Sequence, residues 1–172
     1  MRLTLGCGLP PGRRFLGIFE EDGEVGTVTY NNAVAVSHTG NTNETTLATV
    51  TIPGGLLQAN SVIEIYALFT ASGGNGGEFN MFGRVYFGGT KYVESAIGDN
   101  ESYHRDAFIL CNNSITAQKG FPATGSDDLN GGALITSSVN TASPVDITFK
   151  AQLDRGLDTV ILEGYRIKLN GV

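Results

Sequence analysis

Tryptophan is absent from this chain, and cysteine, methionine and histidine occur only twice each. Cys7 and Cys111 lie far apart with no CxxC spacing, so no disulfide framework is expected and both read as reduced. Two separated histidines, His38 and His104, and two distant thiols fail the ligand spacing of a zinc site, so no metal is expected. Charged residues are scarce at 16%, against roughly 25% in an average soluble domain. No apolar run approaches the ~18 residues of a membrane span, which predicts a protein without membrane contact. The start, Met1-Arg2-Leu3-Thr4-Leu5, has no apolar core of the kind a secretory leader needs, and no cleavage is expected. Basic residues number 11 against 17 acidic ones, and the net charge of -6 has the wrong sign for tracking phosphate backbones. Nucleic acid is therefore not an expected partner.

What the chain does have is apolar substance and turns. Hydrophobic residues at 41% fill a core, and 172 residues suit one domain. The 24 glycines are about twice the usual ~7% usage, which points to many turns. Apolar residues recur with period two. Val145, Ile147, Phe149, Ala151 and Leu153 alternate with Asp146, Thr148, Lys150 and Gln152, the pattern of a half-buried strand. Ile161, Tyr165, Ile167 and Leu169 face one way against Arg166 and Lys168, with Glu163 as an exception on the apolar face. Ala48, Val50 and Ile52 alternate with Leu47, Thr49 and Thr51 until Pro53-Gly54-Gly55 ends the run. Residues 61–70 are almost continuously apolar, as in a strand covered on both faces or one that enters a subunit contact.

Further strands are expected at 27–30, 33–37, 78–87, 90–95, 103–111 and 114–119. Asn31-Asn32 and Gly88-Gly89 are expected hairpin turns, because both residue types accept positive φ. Residues 54–59 make the best short turn or helical candidate. Nine or ten short strands at regular spacing predict an all-β fold, a two-sheet antiparallel sandwich of jelly-roll type. Residues 1–24 lack alternation and contain Pro10-Pro11 and the acidic cluster Glu20-Glu21-Asp22, so they read as an extended N-terminal arm before a sandwich over 25–172.

Catalytic candidates are few. His104-Arg105-Asp106 holds a histidine near a carboxylate, but no GxSxG nucleophile motif accompanies it, and His104 reads as an ordinary strand-start residue. Asp99-Asn100-Glu101 and Asp127-Asp128-Leu129-Asn130 offer oxygen ligands without a full calcium loop, and solvated turns explain them. Tyr66, Tyr86, Tyr92, Tyr103 and Phe121 could offer flat faces to a sugar, although packing explains most of them. No cofactor and no enzymatic activity are expected.

Three stretches carry a family likeness: 44–61 (Glu44-Thr45-Thr46-Leu47 through Pro53-Gly54-Gly55 to Ser61), Val85-Tyr86-Phe87-Gly88-Gly89-Thr90, and Ala151-Gln152-Leu153 with Asp158-Thr159-Val160-Ile161-Leu162-Glu163. Across roughly residues 39–171 the chain resembles the small jelly-roll structural proteins of tailed bacteriophages. The resemblance implies a capsid decoration (cement) protein, made in the host cytoplasm, that binds the outer head surface and stabilises contacts between major capsid proteins, often as a homotrimer. The arm lies outside the likeness. Its Leu3, Leu5, Leu9, Arg13, Arg14 and Phe15 are expected to reach the capsid, arginines pairing carboxylates and apolar groups anchoring. One alternative is a fibre or tail receptor-binding module contacting host surface glycans through loops near 71–77 and 124–132. Another is a lectin or carbohydrate-active enzyme on the same fold.

Overall fold

The computed structural model describes residues 16–18, 26–73, 81–98, 102–111, 114–122 and 134–172, of which 16–18, 102–108, 110–111 and 121–122 by backbone alone. Among the described residues twelve strands run in chain order as β1 (Leu16–Ile18), β2 (Thr27–Asn32), β3 (Val36–Thr39), β4 (Thr45–Ile52), β5 (Val62–Ser72), β6 (Met81–Phe87), β7 (Thr90–Ile97), β8 (Ser102–Cys111), β9 (Gln118–Pro122), β10 (Ile135–Ser137), β11 (Val145–Gln152) and β12 (Thr159–Asn170). No helix occurs among the described residues.

Pairing is nested. β2 pairs with β12, β4 with β11, β5 with β8, and β6 with β7, all antiparallel, each pair enclosing the next in the sequence. Successive pairs alternate between an eight-stranded sheet, β1-β2-β12-β5-β8-β9-β10 with β3 beside β12, and a four-stranded sheet, β4-β11-β6-β7. A hairpin of hairpins rolled across two sheets in this way is a jelly roll. The core lies between the sheets. Phe69, Phe87, Phe149, Ile63, Ile65, Ile147, Ile167 and Leu169 are all fully buried there. Phe149 stacks on Tyr165 with ring centroids 4.5 Å apart, joining the two sheets face to face. Phe69 is accommodated because β6 carries Gly83 opposite it, where a Cβ would come within 2.8 Å of the ring.

The structure corrects several expectations. Asn31 and Asn32 make no hairpin turn: they are strand residues, paired with Arg166 and Tyr165, and β2 and β3 both lie against β12. Residues 33–35 interrupt that edge where β12 has a bulge between Leu162 and Gly164. The same bulge removes Glu163 from the apolar face. One extra residue reverses the alternation, so Val160 and Leu162 point inward before it and Ile167 and Leu169 after it, while Glu163 takes a hydrogen bond from Thr70 at 2.6 Å. Residues 114–117 are turn and bend, and the strand begins at Gln118. Residues 54–59, the turn or helical candidate, form turns and a bend and no helix. Gly88 and Gly89 do make the β6–β7 hairpin, with φ of 54° and 85°. Residues 16–18 of the expected arm add β1 to the edge of the eight-stranded sheet, Leu16 opposite Thr29 and Ile18 opposite Thr27.

Candidate functional site

Polar chemistry concentrates on the outer face of the four-stranded sheet. Inward residues of β6 are Met81, Gly83, Val85 and Phe87, so alternation turns Phe82, Arg84 and Tyr86 outward. Arg84 is level with Glu94 on β7 and with Lys150 on β11. Two cations in direct cross-strand register repel one another. Glu44, at the end of the β3–β4 connection, resolves the conflict. Its Oε1 accepts from Arg84 Nη1 at 2.9 Å and from the Tyr86 hydroxyl at 2.8 Å, and its Oε2 accepts from Lys150 Nζ at 2.9 Å. Arg84 also donates through Nε to Glu94 at 2.6 Å and through Nη1 to Gln152 at 2.6 Å, and Lys91 donates to Glu94 at 2.5 Å. The cations cover rings as well: Arg84 lies 4.9 Å from the Phe82 centroid, and Lys150 lies 4.5 Å from that of Tyr86.

These contacts set the titration of the cluster. Partial burial would raise the Glu44 carboxyl, but hydrogen bonds from Lys150, Tyr86 and Arg84 outweigh it and hold the group down at about 2. Hydrogen bonding from Lys91, against partial burial and aided by Arg84, likewise lowers Glu94. Burial first, and then the hydrogen bond to Glu44, push the Tyr86 phenol up to about 12. Because the folded carboxylate of Glu44 titrates below its ordinary value of 4.5, its stabilisation is complete above that pH and is lost as pH falls toward about 2. Glu44→Gln is therefore expected to lower the urea midpoint near neutrality, and the gap from the wild type should close as pH drops through that window. A gap constant with pH would show that Glu44 acts without its charge.

The residues singled out from sequence are scattered. Tyr86 belongs to the cluster, whereas Tyr92 is buried and bonds Ser137 Oγ at 2.7 Å. Tyr66 lies on the outer face of the other sheet, with the Arg166 guanidinium 4.4 Å from its ring centroid. His38 is buried and its Nε2 is 3.0 Å from the Asn43 carbonyl, which ties down the β3–β4 connection. His104 and Asp106 lie on β8, level with Leu68 and Tyr66. Leu3, Leu5, Leu9, Arg13, Arg14 and Phe15, and the acidic stretches 99–101 and 127–130, lie outside the described residues. No group of three or more potential metal ligands occurs among the described residues. Glu44, Arg84, Glu94 and Lys150 were not anticipated. Alternation marks 84 and 150 as outward, but only the order β11-β6-β7 makes them neighbours.

No protein-family model and no curated protein matches the chain. Among solved structures it is similar to the CBM2 module of the evolved Dit of Lactobacillus casei BL23 phage J-1, at 14% identity and a TM-score of 0.40, over 96% of this chain and 93% of that one. It is also similar to a lectin from Bauhinia forficata in complex with GalNAc, at 8% identity and a TM-score of 0.33, over 93% and 90% of the two chains. A third similarity is to VP2 of the infectious bursal disease virus subviral particle, at 10% identity and a TM-score of 0.34, over 92% of this chain and 46% of that one. The jelly-roll assignment rests on this chain's own strand pairing.

Proposed function

We propose that the chain is a virion structural protein of a tailed bacteriophage, a decoration protein that fastens onto the outer surface of the head and acts without catalysis. The observation that supports this reading is the self-satisfied state of its polar cluster. Glu44 is bonded by three donors of its own chain, Arg84 links two carboxylates, and the Phe82 and Tyr86 rings carry the chain's own cations. Such a network braces β4, β11, β6 and β7 against one another, which suits a building block that transmits contact forces. A glycan-stacking platform would instead keep ring faces open.

The stretches that resemble phage jelly-roll proteins also fall on the nested frame: 44–61 on β4 and the turn into β5, 85–90 on the β6–β7 hairpin, 151–153 at the end of β11 and 158–163 at the start of β12. The test uses heads of the encoding phage stripped of this protein. Added full chain is expected to sediment with them and to decorate the whole head surface in electron micrographs. Binding confined to a few copies at the tail would support the fibre reading instead, and failure to bind any particle would sink both.

A further inference from the structure

Four connections meet at one end of the sandwich: 53–61 between β4 and β5, Gly88-Gly89 between β6 and β7, 114–117 before β9, and 138–144 between β10 and β11. The strand registers place them together, because Val145 is level with Ile52, Ile147 with Phe87, and Gln118 with both Cys111 and Ser137. Buried Thr141 fastens three of them. Its hydroxyl donates to the Leu57 carbonyl at 2.8 Å and lies 3.1 Å from that of Ile115. Its N–H donates to the Ile115 carbonyl at 2.9 Å, and its own carbonyl accepts from the Gly55 N–H at 2.8 Å. The loops also touch directly: a Cβ on Gly54 would stand 2.6 Å from the Ala142 carbonyl oxygen, and one on Gly88 would stand 2.5 Å from Val139 Cγ2. Joining strands needs no such clasp. Loops held this firmly keep their conformation when a partner arrives, which removes the ordering cost of binding.

The clasped loops also lack charged side chains. No residue of 53–61, 88–89, 112–117 or 138–144 is Asp, Glu, Lys or Arg, in a chain that is 16% charged. Gln58, Ile115, Thr116, Asn140 and Ala142 are exposed there. The first charges behind them, Lys119 and Asp146, stand at the second residues of β9 and β11. Glu20, Glu21, Asp22 and Glu24 precede β2, which β12, β5 and β8 separate from β9 in the sheet order. The opposite end differs. Its connections 40–44 and 153–158, joined by the Gly40 N–H donating to the Gly156 carbonyl, carry Glu44, Asp154, Arg155 and Asp158. An uncharged surface costs least to dry, and depletion of charge distinguishes the centre of an interface from the rest of a protein surface. The surface it fits is uncharged as well, since a charge buried against it would have no counter-ion. None of these residues is aromatic, so this end offers a sugar no ring to stack on. We propose that it is the foot by which the chain stands on the head, with loops 53–61, 114–117 and 138–144 against an uncharged patch of the capsid protein and the charged end turned to solvent. This foot presupposes the decoration reading and adds to it the attaching surface.

Co-sedimentation of the full chain with stripped heads tests it. Thr116→Glu and Ala142→Glu, both at exposed positions, should each raise the dissociation constant about tenfold or more while leaving the circular dichroism and urea midpoint unchanged. Asp154→Lys, at the opposite end, should bind as the wild type does. Because no ion pairs form at the contact, the wild-type constant should change less than about twofold between roughly 0.05 and 0.5 M salt. Electron cryomicroscopy of wild-type decorated heads, which needs no variant to fold, should show loops 53–61, 114–117 and 138–144 against the shell. Folded variants that bind undiminished, a steep salt dependence, or a reconstruction with another surface on the shell would overturn the foot and leave the decoration reading standing. Binding abolished by enzymatic removal of glycans from the heads would also overturn it, and would assign the contact to a sugar. A wild type that binds no particle would overturn both.

Discussion

Replacing Phe149 with alanine is expected to lower the free energy of unfolding by about 3–5 kcal/mol, the usual cost of emptying a fully buried aromatic site. Phe149 is wholly buried at the middle of β11, the strand that holds β4 on one side and β6 on the other. Its ring stacks on Tyr165 of the opposite sheet, so truncation opens a cavity between layers whose backbones are tied into two ladders and cannot collapse into it. For a domain stable by about 5–15 kcal/mol, that loss is a large share of the total. Urea unfolding read by circular dichroism measures it, with an unchanged slope showing that only stability moved. A loss under ~1 kcal/mol would mean that the sheets do not meet through this ring.

Gln118→Leu is expected to cost about 1–3 kcal/mol for a different reason: it strands partly buried polar groups. Gln118 is buried at the start of β9, and its amide behaves as a piece of strand. Nε2 donates to the Val139 carbonyl at 2.9 Å, and Oε1 accepts from the Val139 N–H at 2.9 Å and from Ser137 Oγ at 3.0 Å. The side chain thereby continues the β9–β10 ladder beyond Ser137, where the backbone pairing stops. Leucine fits the volume but leaves both backbone groups of Val139 without their partner. The same urea titration reads the loss, and amide exchange at Val139 should accelerate more than at β11. Unchanged exchange there would show that water or a neighbour replaces the amide.

These two positions differ in how visible they are in the sequence. Phe149 stands in an uninterrupted alternation from Val145 to Leu153, so its burial follows from the pleat alone. Gln118 looks like any polar residue after a turn, and β10, only three residues long, has no readable period. Glu163 was misread because a bulge changes the phase of alternation, and the bulge is set by pairing with β5 and not by β12 itself. Asn31-Asn32 was misread because a turn-forming pair can equally lie in a strand when a neighbouring strand supplies its hydrogen bonds.

From its residues alone, the protein was bound to be an all-β domain of short strands, because side-chain alternation, glycine turns and the lack of helical periodicity are properties of a few consecutive residues. The partners of those strands were not determined at that level. β2 meets β12 and β4 meets β11 across most of the chain's length, and only the closed sandwich brings Glu44 to Arg84 and Lys150 or Thr141 to Leu57 and Ile115. Local pattern decides which face of a strand is buried, whereas the tertiary structure decides what stands next to it, because neighbours in a sheet are chosen by the packing of the whole core.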